Sequence, residues 1–327
     1  AAGNRAETKV SKVFTIGENT LEDNKIALVP STTDWTNKDV TVTVTYGKNL
    51  SQNRKAGMVS TLTANATTIT AKENGTAYAE ATDIAGNKVV AELKIGNIDK
   101  KAPNKPTYEA KYEDNTSYTS GTWTNKLVHT IISTEDNLSG VTKIEYSSDK
   151  STWTTFSFGV SNGLQTNGLK ATGTENWALS NRNGTYYFRA TDKAGNVSEI
   201  SDAFTIKYDI TKPTVSLSPN GGAVYTMPTT GNATIKTTLT ASDAGGSGIA
   251  VLQYAWSTSN TTEPSAWVNF TSGNTISKVD CTAGTYYLWL KVMDSAGNRA
   301  DTKVSSPFVI SANTIADNKI TLTPRTT

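Results

Sequence analysis

Five aspartates in this chain have a type and spacing that suggest chemistry. Asp83, Asp192 and Asp294 each open the same short run, Asp-x-Ala-Gly-Asn, at intervals of 109 and 102 residues. Asp99 and Asp209 each stand four residues before a proline, Pro103 and Pro213. Carboxylates are hard oxygen donors, and calcium takes six to eight such oxygens. Aspartate also bonds backbone amides two residues on and so caps turns. Lys100, Lys101 and Lys212 adjoin the two proline-marked aspartates and oppose a cation there. The sequence therefore reads these five first as turn caps. Calcium is the one cofactor it leaves open, and no other is expected.

The remaining chemistry is sparse. His129 is the only histidine and lies in an alternating run, Lys126-Leu127-Val128-His129-Thr130-Ile131, as a polar-face strand residue would. A catalytic triad needs an oriented base beside a nucleophile, and a single histidine makes that reading weak. Cys281, the only cysteine, has no histidine near it in sequence and reads as a small buried thiol. A single cysteine also excludes an internal disulfide. No cluster of His and Cys suits a transition metal, and no glycine-rich loop suits a phosphate. The chain is expected not to be an enzyme. Seven tryptophans are many for small domains, and Tyr78, Tyr187 and Trp289 fall on the outward side of their runs. Such rings could hold a carbohydrate, but their recurrence at one place per repeat favours a structural cover.

The elements that carry these residues are strands. Gly75–Asn87 returns as Gly184–Asn196 and again, with two extra residues, as Gly284–Asn298. Each copy alternates: Ala77, Ala79 and Ala81; Tyr186, Phe188 and Ala190; Leu288, Leu290 and Val292. Period two marks a strand with one face in a core. The Asp-x-Ala-Gly-Asn run turns the chain, with Gly accepting positive φ. A second strand is then expected over Lys88 to Ile95, Val197 to Ile206 and Arg299 to Ile310. Trp35-Thr36-Asn37-Lys38 and Trp123-Thr124-Asn125-Lys126 precede further alternating strands, replaced in the third unit by Tyr225-Thr226-Met227-Pro228. Ser139-Gly140 and Ser247-Gly248 turn the second and third units, and the first lacks that turn.

The spacing is that of one sandwich domain. Expected boundaries are 17–99, 100–209 and 210–311, with 1–16 as the last strand of a preceding repeat and 312–327 as the first strand of a following one. Residues 2–33 align without a gap to 296–327, and 21 of those 32 positions are identical. The chain thus reads as one three-domain super-repeat of a longer array. Proline at the joints stops the ladder and restricts hinging. The net charge of +2 is spread through the chain, unlike the basic stripe of a nucleic-acid binder. No apolar run approaches the length of a membrane span. Neither nucleic acid nor membrane insertion is expected.

The motifs Trp123-Thr124-Asn125-Lys126, Asp136-Asn137-Leu138-Ser139-Gly140, Gly184-Thr185-Tyr186-Tyr187, Asp192 to Ser198 and Asp209 to Pro213 resemble the bacterial immunoglobulin-like repeats of large cell-surface proteins. The resemblance implies an all-β chain of tandem immunoglobulin-like β-sandwich domains arranged as an extended rod, extracellular on a bacterial cell surface. It implies an adhesin stalk, spacer or surface fibre, with neighbouring repeats of the same chain as partners and lateral self-association into a fibre or layer as a further option. Some such adhesins hold calcium at domain joints. Related domains also form Lys–Asn isopeptide bonds, for which Lys38 with Asn87 or Lys126 with Asn196 are the candidates. The competing reading is a module that binds carbohydrate or a surface protein through loops and exposed aromatics.

Overall fold

A computed structural model describes residues 22–155, 165–167, 170–176, 183–222, 224–228 and 230–312. The strands expected over 1–16 and after 312, and Trp177, lie outside the described residues. The first sandwich comprises β1 (Ile26–Pro30), β2 (Val40–Tyr46), β3 (Gln52–Met58), β4 (Thr61–Ala64), β5 (Thr68–Ala71), β6 (Gly75–Thr82) and β7 (Lys88–Ile95). They form a sheet β1-β2-β5 and a sheet β4-β3-β6-β7. The second comprises β8 (Thr107–Tyr112), β9 (Trp123–Thr124), β10 (Val128–Glu135), β11 (Val141–Ser147), β12 (Thr154–Thr155), β13 (Gln165–Asn167), β14 (Lys170–Asn176), β15 (Gly184–Asp192) and β16 (Phe204–Tyr208). Its sheets are β13-β14-β10-β8 and β12-β11-β15-β16-β9. The third comprises β17 (Thr214–Ser218), β18 (Val224–Thr226), β19 (Ala233–Ser242), β20 (Ile249–Ser257), β21 (Val268–Asn269), β22 (Thr275–Cys281), β23 (Gly284–Asp294) and β24 (Phe308–Ser311), in sheets β17-β19-β22 and β18-β24-β23-β20-β21.

The alternation in sequence becomes burial. Val40, Val42 and Val44 point inward from β2, and Ala77, Ala79 and Ala81 meet them from β6. Three alanines on that face leave little volume, so the two sheets approach closely over small side chains. The second core is aromatic: Phe188 and Phe204 are fully buried, with Tyr108 edge-on to both. Ile235, Leu239, Leu288 and Phe308 fill the third. The Trp-Thr-Asn-Lys motif forms a short strand, β9, that runs parallel to the final strand of its own sandwich, pairing Trp123 with Lys207 and Thr124 with Tyr208. Thr36 makes the corresponding parallel bridge to Ile98.

One expectation is corrected. The returning strands of the second and third sandwiches are short, Phe204–Tyr208 and Phe308–Ser311, rather than starting at Val197 and Arg299. Serine hydroxyls are the reason. Ser198 Oγ accepts from the Ala190 amide and Ser201 Oγ from the Phe188 amide, at 2.9 Å each. Ser305 Oγ does the same for Leu288 at 2.9 Å. A side-chain oxygen that substitutes for the backbone carbonyl satisfies the ladder while the chain bows away from it. The first sandwich has no such serines, and β7 runs unbroken from Lys88 to Ile95.

Candidate metal centres at the domain joints

At each of two joints the fold draws three aspartates into one cluster. Asp99, Asp136 and Asp192 bring one carboxylate oxygen each within 4.8 Å of the others, and so do Asp209, Asp243 and Asp294. Each triad combines the joint itself, the turn after β10 or β19 of the following sandwich, and the Asp-x-Ala-Gly-Asn turn. Both sites therefore belong to the top of the downstream sandwich and the segment that enters it.

Backbone amides set every carboxylate. Asp99 Oδ1 accepts from the Lys101 amide and Oδ2 from Ser139, both at 3.0 Å. Asp209 repeats this with Thr211 at 2.8 Å and Ser247 at 2.7 Å. Asp136 Oδ2 accepts from Leu138 and Gly140 at 3.1 and 2.7 Å. Asp192 and Asp294 each take the amide and the side-chain Nδ2 of the asparagine four residues on, at 2.8 Å throughout. The same asparagines donate back to the joint, Asn196 to the Asp99 carbonyl at 2.9 Å and Asn298 to the Asp209 carbonyl at 2.8 Å. Burial pushes the Asp209 carboxyl up, but the amides of Thr211 and Ser247 outweigh it and hold the group below its ordinary value. A depressed carboxylate contributes stability above its unfolded value, which is lost as pH falls through the folded one. This carboxylate accordingly stays ionised at neutral pH.

Three carboxylates drawn this close, all but the half-buried Asp243 out of solvent, repel one another unless a positive charge is among them. The joint lysines do not supply it. Lys100 Nζ is 2.5 Å from Asp39, and Lys212 Nζ is 2.5 Å from Asp301, both on the surface. The expectation that these lysines oppose a cation is therefore corrected, because adjacency in sequence put them beside the aspartates while their side chains pair elsewhere. At the second joint Asp243 Oδ1 is buried without a hydrogen-bond partner. A Cβ on Gly246 would lie 2.5 Å from that oxygen and 2.7 Å from Asp209 Oδ2, so the glycine leaves the space between the carboxylates open. The residues present suit a hard cation such as calcium: several carboxylate oxygens, pre-set by amides, with no lysine or arginine ion-paired to them among the described residues. Gly246→Ala is expected to close this cradle without removing a charge. It should abolish calcium binding at the second joint alone, as read by titration calorimetry, while the first joint binds as before.

Asp83 is separate. Its turn has the same internal bonds, to the amides of Ala85 and Asn87 at 2.9 Å and to Asn87 Nδ2 at 2.8 Å, but among the described residues it joins no cluster. The Asn87 side chain is the main cause that lowers its carboxyl below the usual range. Lys48-Asn49-Leu50-Ser51 in the first sandwich stands where the second has Asp136-Asn137-Leu138-Ser139. Lysine thus replaces the second aspartate of the triad, and its Nζ lies 2.9 Å from Asp23.

Asparagine closes the joints from the upstream side. Asn125, in the Trp-Thr-Asn-Lys turn, donates to Asn298 Oδ1 of the next sandwich at 3.1 Å. At the first joint the Asn37 side-chain nitrogen lies beside Gly195. Asp99 and Asp209 donate their own amides back to Thr36 and Thr124, at 2.9 and 3.0 Å.

The other candidates are accounted for locally. Tyr78 donates to Glu80 at 2.9 Å, and Lys150 lies 4.2 Å over the Tyr187 ring. Trp289 is corrected from an exposed position: it is 9% exposed and donates Nε1–H to the Ser259 carbonyl at 2.8 Å. The loop after β20 folds over it. His129 lies half-buried on β10, and burial raises the Cys281 thiol above its ordinary value, which keeps it a thiol. Lys38 and Lys126 are exposed and Asn87 is bonded to Asp83, so neither imagined isopeptide pair has the buried setting that reaction needs.

No family model matches the chain, and no curated protein matches its sequence. Solved structures do. An I-band fragment of titin is 14% identical and covers 89% of this chain and 98% of its own, with a TM-score of 0.42. A variant of a three-immunoglobulin titin fragment gives 13%, the same coverage and 0.44. A structure concerned with host cell surface retention of a 1.5-MDa bacterial ice-binding adhesin is 13% identical over 84% of this chain and 91% of its own, with a TM-score of 0.32. With TM-scores below 0.5, these likenesses carry no argument about role, and the sheets described above stand on their own. The chain is all-β, a tandem of immunoglobulin-like sandwiches.

Proposed function

We propose that this chain is a non-enzymatic stalk or spacer segment of a large repetitive protein on a bacterial surface, with calcium stiffening two of its joints. The observation that carries this reading is the pair of buried aspartate triads, each combining a joint with the sandwich that follows. A cation held there ties the entering segment to two turns at once and so restricts hinging. Bound calcium would supply the positive charge that the joint lacks. Asp99, Asp136 and Asp192 would hold it at one joint and Asp209, Asp243 and Asp294 at the other. The paired asparagine contacts and buried Pro103 and Pro213 add direct packing. The bacterial immunoglobulin-like motifs support an extracellular setting. No chemistry is assigned to His129 or Cys281, in keeping with a mechanical role.

Small-angle scattering in calcium and in excess chelator tests the reading. The maximum dimension is expected to approach three sandwiches end to end in calcium, with a broader and shorter distribution in chelator. Identical profiles would remove calcium from the proposal, and a compact particle in both conditions would remove the stalk. Lateral pairing of chains through sheet edges is a further part of the proposal; sedimentation at rising concentration reads it directly.

A further inference from the structure

The third sandwich carries a groove on the outer face of its long strand β23. Its floor is β23, and its walls include Trp267 and Trp289 with Lys291, Arg299, Lys303 and Glu263. The corresponding place in the second sandwich is electrically closed. There Arg189 faces Glu145 across the strands, with Nε 2.8 Å from Oε2, and Lys143 takes the other carboxylate oxygen at 2.8 Å. Glu145 is buried, so this cluster is fixed in place. In the third sandwich Lys291 replaces the arginine, and its cross-strand partner is the neutral Gln253, which bonds Asn269 instead. Arg299 occupies the position of Val197, and Lys303 lies between Ala300 and Ser305, a stretch of four residues where the second sandwich has only Glu199 and Ile200 between Ser198 and Ser201. Glu263 is the only acid lining the groove, 3.7 Å from Lys291 and largely exposed. Among the described residues neither Arg299 nor Lys303 meets a carboxylate within 4 Å. Three cations thus share one acid where the related sandwich balances its charges internally.

We propose that this groove binds a carboxylate-bearing sugar chain, of the uronate type. Arg299 and Lys303 would take the carboxylate, for which charge-assisted bonds are the strong kind. The indole of Trp267, half-buried at the rim, gives the flat apolar wall on which a sugar ring rests, and the buried Trp289 backs the floor. Lys291, 4.4 Å over the Trp267 ring, holds that indole in place. An extended acidic peptide fits less well. Peptide capture by strand addition uses an unpaired edge, and β23 is paired on both sides, to β20 and β24. This site is independent of the joint cations and of the stalk reading.

The test uses the full chain and a tetramer of galacturonate, followed by calorimetry and by amide shifts. Wild type is expected to bind it and to ignore the neutral galactose tetramer, with shifts centred on 289–303. Arg299→Glu with Lys303→Glu should weaken binding by at least about tenfold. A control with the same charge change on exposed residues of the first sandwich, Lys72→Glu with Lys94→Glu, should leave it within about twofold. The proposal is overturned if wild type binds no better than the groove variant, or if the control loses as much. Equal binding of the neutral tetramer, or displacement by a tetraglutamate peptide at equal carboxylate concentration, overturns it as well.

Discussion

Asp136→Asn combined with Asp243→Asn is expected to leave the chain folded but blind to calcium. Asparagine keeps an oxygen that can accept the Gly140 or Gly248 amide, so each turn survives, while each triad loses one of three charges. Calcium affinity depends on ligand charge count, and a loss of more than about 100-fold per site is expected. Wild type should titrate with two equivalents, either single variant with one, and the double variant with none. At a free concentration about 100 times the dissociation constant, a bound ion stabilises by about 2.7 kcal/mol. For a domain of about 100 residues this raises the melting temperature by on the order of 10 °C. Because both triads lie at the tops of downstream sandwiches, the second and third transitions should rise and the first should not. Uniform stabilisation of all three, or an undiminished response in the double variant, would remove the joints as the site.

Phe188→Ala should melt the second sandwich while its neighbours stand. Phe188 is fully buried against Tyr108 and Phe204, in a cluster that shares no residue with the other cores. Truncating a buried phenylalanine costs about 3–5 kcal/mol, a large part of the total stability of about 5–15 kcal/mol that a small domain has. In an array with only nearest-neighbour coupling the damage stays local. Calorimetry should resolve one early transition beside two near their original positions. The early transition should also carry away calcium binding at the first joint, since Asp136 and Asp192 belong to this sandwich. A single shifted transition would show that the three units unfold as one.

The sequence was informative wherever a residue repeats in a fixed relation to strand alternation. Four of the five aspartates singled out lie in the two triads, since the hairpin turn and the proline joint recur and can be read by comparison. Of the other members, Asp136 shows only as the start of a Ser-Gly turn motif, and Asp243 is not singled out by the sequence at all. Their role depends on where that turn lands once the following sandwich docks, which no local pattern encodes. A signal existed in the spacing: Asp136 precedes Gly140 by four residues and Asp243 precedes Gly248 by five, each reaching that glycine's amide. The lysines misled for the opposite reason, because nearness in sequence says nothing of where a long side chain ends. Trp289 looked exposed by alternation alone. A loop that arrives from thirty residues earlier covers it.

Lys48 has a consequence for how such a chain answers its surroundings. An ammonium that is part of the polypeptide cannot be rinsed out, whereas an ion held by three carboxylates exchanges with the medium. The front of the first sandwich, with Lys48 against Asp23, thus needs no ion from outside, whereas the two triads, under the proposal, do. One molecule would then join a built-in charge pair in one sandwich to two conditional couplings at its joints. A fall in external calcium would slacken those two first, giving a chain that bends at defined places before any domain unfolds.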